Sequence, residues 1–197
     1  MNLITRAKNM LFTPKTEWLV VASETPNPSQ IITGYVLPLA LAGAVAAFIG
    51  YGIIGVGFLG VRIAGVSWGL YYALSLLITT IVSLYITAFV VDALAPSFGS
   101  EKNMGRSLQL VAYGSTPSLV AGLFQILPFL ASIMMLAGAV YGIYLWYIGL
   151  GPIKKTPDEK RAGYLVVSII VLIVVYMILG LILNRIFLSI LGLSYGF

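Results

Sequence analysis

The sequence predicts an all-helical integral membrane protein with five transmembrane helices and an amphipathic N-terminal helix lying in the membrane interface. Three observations predict this. The chain is 60% hydrophobic and 9% charged, with a mean hydropathy of +1.03, whereas a soluble domain carries about 25% charged residues. From Ser107 to Ile153 there is no charged side chain. As one helix that stretch would be roughly 70 Å long at ~1.5 Å per residue, about twice the ~30 Å hydrocarbon core of a bilayer. It must fold back, and Gln125-Ile-Leu-Pro128 is the place. Third, the net charge of +5 resides in short segments between apolar runs, a topological signal rather than a nucleic-acid-binding surface.

The elements follow in order. Residues 1–29 form the N-terminal segment. On a helix, Leu3, Ile4, Ala7, Met10 and Leu11 share one face and Arg6 and Lys8 flank it, the pattern of a helix whose basic side chains snorkel to headgroups. Arg6 and Lys8 break the apolar run, so this is not a signal peptide. Thr13-Pro14 opens a second short helix, with Trp18 as an interface anchor, and Thr25-Pro-Asn-Pro-Ser29 ends it. The membrane domain, 30–185, holds spans at about 30–54, 67–91, 107–127, 129–149 and 162–183. Pro38 bends the first. Ala42, Ala46 and Gly50 recur every four residues as a smooth packing stripe, and the glycines from Gly50 to Gly60 make a loose end. Aromatic belts stand at Trp68, Tyr71 and Tyr72 and at Tyr141, Tyr144, Trp146 and Tyr147. Residues 186–197 are apolar but too short to cross again and lie along the surface.

Five spans divide the eleven basic residues unequally. Arg6, Lys8, Lys15, Lys102, Arg106, Lys154, Lys155, Lys160 and Arg161 fall on one side, and Arg62 and Arg185 on the other. The positive-inside rule then puts the N-terminus in the cytoplasm and the C-terminus outside. Arg6, Lys8, Lys154, Lys155, Lys160 and Arg161 are the expected contacts to anionic headgroups, each worth ~1 kcal/mol.

There are no cysteines and no histidines, which excludes disulfides, thiolate chemistry, a serine–histidine triad and the usual zinc, haem and iron–sulfur ligands. No nucleotide-binding glycine loop is present, so no catalytic residue, cofactor or metal is expected. No charge falls deep inside a span, which argues against proton-coupled transport. Asp92, at the end of the second span, reads as a solvated helix terminus, or else as an acid facing a cytoplasmic cavity or a partner. In Tyr113-Gly-Ser-Thr-Pro117, Pro117 removes a backbone donor and crowds the Tyr113 carbonyl. Ser115 and Thr116 can satisfy the freed groups. The result is either a fixed kink or a broken helix whose carbonyls bind a cation or polar substrate. Gly138-x-x-x-Gly142 permits close helix approach, within the chain or between copies.

The chain resembles the Yip (Ypt/Rab-interacting protein) family in its bacterial form. The likeness lies in Pro14 and Trp18 before the first span, Ala112-Tyr-Gly-Ser-Thr-Pro117 in the third, and Pro128 opening the fourth. Tyr144-Leu-Trp-Tyr-Ile-Gly149-Leu150 then leads into a lysine loop. The acidic Asp-Leu-Tyr-Gly-Pro motif of eukaryotic members is not matched; Asp92-Ala-Leu-Ala-Pro96 is the nearest string. The resemblance implies a small polytopic protein of a bacterial inner membrane, with relatives implicated in vesicle trafficking and membrane shaping. The expected function is a non-enzymatic membrane organiser or trafficking-related factor, with the lipid bilayer, a second copy or another membrane protein as partner and no nucleic acid. The alternative is a channel or transporter for a neutral solute or weakly held cation. It would use Tyr113, Ser115, Thr116 and Ser118 with Ser75, Thr79, Thr80, Ser83 and Ser132.

Overall fold

The computed structural model describes residues 2–58 and 61–190. Two short helices lead in: α1 (Leu3–Phe12), capped by the Asn2 side chain on Ile4 N, and α2 (Pro14–Ser23), which begins on its proline. Among the described residues, four helices are long and apolar enough to cross a membrane: Pro28–Ile54, Val66–Phe98, Pro128–Lys154 and Asp158–Leu179. The first of these is α3 (Pro28–Ile54). Asn27 caps it, and a π-helical turn over Ile32–Val36 leads into Pro38. That wider turn pairs Leu37 N–H with the Ile32 carbonyl, so the proline is absorbed by a local change of pitch.

A second π-helical turn, Phe48–Ile54, ends α3. The expected loose glycine end is instead a small antiparallel hairpin, β1 (Val56–Phe58) with β2 (Val61–Ile63). Then come α4 (Val66–Leu94), a 3-10 turn over Ala95–Phe98, and Gly99 at φ 64, the left-handed position glycine fills without strain.

The expected third span is not one helix. α5 (Met104–Gly114) stops at Ser115, α6 (Thr116–Ala121) restarts with Pro117 in its first turn, and a 3-10 turn carries Gly122–Ile126 to the fold-back at Pro128. It nevertheless runs antiparallel along α7 (Pro128–Lys154). A Cβ on Gly149 would lie 2.7 Å from Leu110 Cδ1, one on Gly142 3.2 Å from Gly114 O, and one on Gly138 2.9 Å from Pro117 O. The last described element is α8 (Asp158–Ile190). The helix therefore continues into the expected C-terminal tail as far as Ile190; 191–197 lie outside the described residues.

The broken segment is the axis of the bundle. Every residue from Ser107 to Gly114 is buried, as expected of a helix surrounded on all sides. Around it, α4, α7 and α8 turn large apolar side chains outward: Ile78, Phe89, Phe129, Leu136, Ile170 and Ile173 are all exposed. Two packing expectations need correction. Ala42 is exposed, while Ala46 and Gly50 are buried; the tightest approach of this stripe is at Gly50, where a Cβ would overlap the Gln125 carbonyl, and a Cβ on neighbouring Gly43 would lie in ordinary contact with the Gly122 backbone at 3.6 Å. Trp18 is no interface anchor: it is 1% exposed and lies against Gly149, which has no side chain to displace it.

Candidate functional site

Two buried polar clusters lie in the bundle, one at the end where α4, α5 and α7 meet and one at the helix break. In the first, the last turn of α7 delivers Lys154 to the ends of α4 and α5. Its ammonium donates to Asp92 Oδ1 at 3.0 Å, Ser107 Oγ at 2.7 Å and the Asn103 carbonyl at 3.3 Å. Asp92 Oδ1 also accepts from Ser107 Oγ at 2.9 Å and Asn103 N–H at 2.8 Å. All three ammonium donors are thus used, the condition under which a buried ion pair is tolerated. Local geometry explains how Lys154 reaches inward. Lys155 takes a left-handed conformation, φ 52, and its N–H closes on Leu150 O. Glu101 N–H caps the Lys154 carbonyl at 2.9 Å. Ser100 donates to Thr156 Oγ1 at 2.8 Å, and Tyr164 of α8 donates to the Val91 carbonyl.

The second cluster joins α1 and α2 to the helix break. Arg6 donates to Glu17 Oε1 at 2.8 Å and to Glu24, and Asn9 donates to Glu17 Oε2 at 2.9 Å. The Arg6 guanidinium carbon lies 5.0 Å from the centre of the Tyr113 ring, a cation–π distance. Tyr35 meets that ring edge-on, with centroids 4.8 Å apart. Thr116 Oγ1 donates to the Tyr113 carbonyl at 2.5 Å, and Tyr35 Oη lies 2.6 Å from Thr116 Oγ1. Thr116 has one proton and spends it on a carbonyl, so Tyr35 is the donor to Thr116. The carbonyl that Pro117 deprives of its usual partner is thereby satisfied from within the segment. A cavity of about 230 Å³ lies here, walled by Arg6, Glu24, Gln30, Tyr35, Gln109 and Tyr113.

These contacts correct three expectations. Arg6 and Lys154 do not reach for headgroups: they are 4% and 0% exposed, because acids at distant sequence positions hold them inside. Asp92 is not a solvated terminus but 8% exposed, with its Oδ1 accepting from Lys154, Ser107 and Asn103. Of the remaining surface cations, Lys8, Lys155 and Lys160 are exposed. Lys155 Nζ lies 2.8 Å from Glu101 Oε2, and that hydrogen bond holds the Glu101 carboxyl below its usual range. Arg161 is half-buried and pairs with Asp158. Ser115 lies at the break, half-buried, and Pro117 is buried in the first turn of α6. Gly138 and Gly142 face Pro117 and Gly114 across the α6–α7 and α5–α7 contacts.

Glu17, Glu24, Tyr35, Asn103 and Ser107 belong to the clusters and were not singled out from sequence. One signal was present: Glu17 opens the run Trp18-Leu-Val-Val, where an acid flanked by apolar residues needs a partner. Among the described residues no group of acids suits a metal ion.

The sequence profile of the Yip1 domain matches residues 8–182, a stretch holding both clusters except Arg6. No curated protein and no solved structure matches the chain.

Proposed function

The chain belongs to the Yip1 domain family, and on that premise we propose that it organises a bacterial inner membrane without catalysing a reaction, in trafficking-like or membrane-shaping events. The observation that carries this is a division of labour among the charges. Arg6, Lys154 and Arg161 are spent on ion pairs. Lys8, Lys15, Lys102 and Lys160 are exposed and have no acidic partner among the described residues. Lys15, Lys102 and Lys160 belong to segments that meet at the end of the bundle holding Lys154 and Asp92: Arg106 donates to Val21 O at 3.3 Å, and the Gly99 region adjoins the Lys160 ammonium. The helix carrying Lys8 reaches further along the bundle, where Tyr141, midway along α7, donates to Leu11 O at 2.8 Å.

In this reading that end faces the cytoplasm, the broken segment crosses as a fifth span, and the C-terminus lies outside. Helix α1 keeps its inner face on the protein through Ala7 and Met10, while Ile4 and Phe12, with Leu19 and Val20 of α2, stay exposed as an apolar surface for the interface. Four free lysines near anionic headgroups contribute about 4 kcal/mol, at ~1 kcal/mol each. The outward apolar faces of α7 and α8 suit the bilayer, a second copy or another membrane protein.

Native mass spectrometry of the full chain released from mixed phosphatidylglycerol and phosphatidylcholine vesicles tests this. The wild-type chain should retain phosphatidylglycerol preferentially, and K8Q/K15Q/K102Q/K160Q should lose that preference with unchanged thermal stability. Equal retention by both chains, or solute-specific flux through the reconstituted protein, would overturn the organiser reading.

A further inference from the structure

Beside the helix break, a cavity of about 320 Å³ lies between α3, α4, the broken segment and α7. Among the described residues no ionisable side chain lines it. Along α4, Thr79, Thr80, Ser83 and Thr87 line it at helical spacing, and Ser115 and Ser118 line it from the break, so two hydroxyl-bearing faces share one space. The remaining wall is mostly apolar, with Leu76, Leu119 and Met135, and includes the Gln125 amide and the Trp146 indole. A second cavity of about 270 Å³, towards α7 and α8, shares Ser115, Ser118 and Trp146 as its wall.

Some of these hydroxyls are satisfied inside the protein. Ser83 donates to Thr80 O at 3.2 Å, and Thr87 Oγ1 pairs with Tyr176 Oη at 3.0 Å. The side chains of Thr79, Thr80, Ser115 and Ser118 make no hydrogen bond among the described residues. Thr79 is exposed and Thr80, Ser115 and Ser118 are half-buried, so these hydroxyls stay free to pair with a group that enters the space. A charged ligand would find no counter-charge and would pay the full desolvation penalty. A pure hydrocarbon would leave the hydroxyls unpaired.

We propose that this cavity binds a small uncharged amphiphile carrying a hydroxyl group, of the aliphatic alcohol class. Its hydroxyl is held by Ser115 and Ser118 at the helix break and its alkyl part lies against Leu76, Leu119 and Met135. The site is built by the same break that Tyr35 and Thr116 brace, so its shape is fixed by the fold. It is independent of the headgroup contacts at the cytoplasmic end.

Photoaffinity labelling of the full chain in phosphatidylcholine vesicles with a diazirine-bearing octanol tests it. Saturable adducts are expected on peptides holding Thr79–Thr87 and Met135–Trp146. Excess octanol should suppress them several-fold, while octanoate and octane should not. S115A/S118A should reduce them several-fold; if that variant fails to fold, competition in the wild-type chain decides alone. Adducts confined to outward residues such as Ile78, Phe89 and Leu136, labelling that does not saturate, or competition by octane equal to that by octanol would overturn the proposal. Each would mean that the space holds lipid chains or water.

Discussion

Replacing Asp92 with alanine is expected to lower the stability of the folded bundle by about 3–5 kcal/mol, the cost of removing one partner from a buried ion pair. The Lys154 ammonium is 0% exposed and would keep only the Ser107 hydroxyl and the Asn103 carbonyl. It would be left as a positive charge without its counter-charge. Asn103 N–H and Ser107 Oγ would lose their acceptor as well, so the start of α5 loosens together with the end of α7. Lys154→Met should be milder, because Asp92 would still accept from Asn103 and Ser107. The double variant D92L/K154M should recover most of the loss, since apolar replacement of a whole buried pair is often neutral. The midpoint of thermal unfolding of the purified chain reads all three. A single-variant loss no larger than that of an exposed pair, about 0–1 kcal/mol, would mean that the node is wet and does not lock the bundle.

The second large effect is expected from Gly138→Val. Its Cβ would lie 2.9 Å from Pro117 O, 3.0 Å from Pro117 C and 3.0 Å from Ser118 Cα. These are backbone atoms, which cannot rotate away as a side chain can. Helix α7 would have to separate from α6 along its length, and overpacking of this kind costs at least about 1–3 kcal/mol. The comparison is Gly34→Ala, where the nearest atom is Gln30 Cγ at 3.8 Å; its effect should be within about 0.5 kcal/mol. Thermal unfolding of the two variants side by side checks the contrast. Equal midpoints would show that the α6–α7 contact is not close-packed.

Much of the architecture was legible because membrane structure leaves strong local marks. The long uncharged run had to fold back, and Pro128 opens α7. Pro117 had to interrupt a helix, and it sits in the first turn of α6. What was not legible depended on contacts between distant positions. Arg6 pairs across 11 and 18 residues, and Lys154 reaches Asp92 across 62. Counting charges by loop cannot distinguish a lysine folded inward from one facing headgroups. Of the four-residue stripe, Ala42 is exposed while Gly50 meets the Gln125 backbone; the repeat marks the face but not how far along it the contact runs. Trp18 looked like an interface anchor because its pocket is made by Gly149, a residue that carries no side-chain signal of its own.

The central claim is that the free lysines gather at the cytoplasmic end and that the broken segment crosses the membrane to the other side. The chain has no cysteine, so single cysteines placed at Lys15, Lys102, Lys160, Ala64 and Leu127, all exposed, report without background. A membrane-impermeant maleimide is applied to intact cells and to inverted vesicles. Lys15→Cys, Lys102→Cys and Lys160→Cys should react only in inverted vesicles, and Ala64→Cys and Leu127→Cys only in intact cells. If Leu127→Cys reacts from the same side as Lys102→Cys, the broken segment does not cross and the five-span account fails.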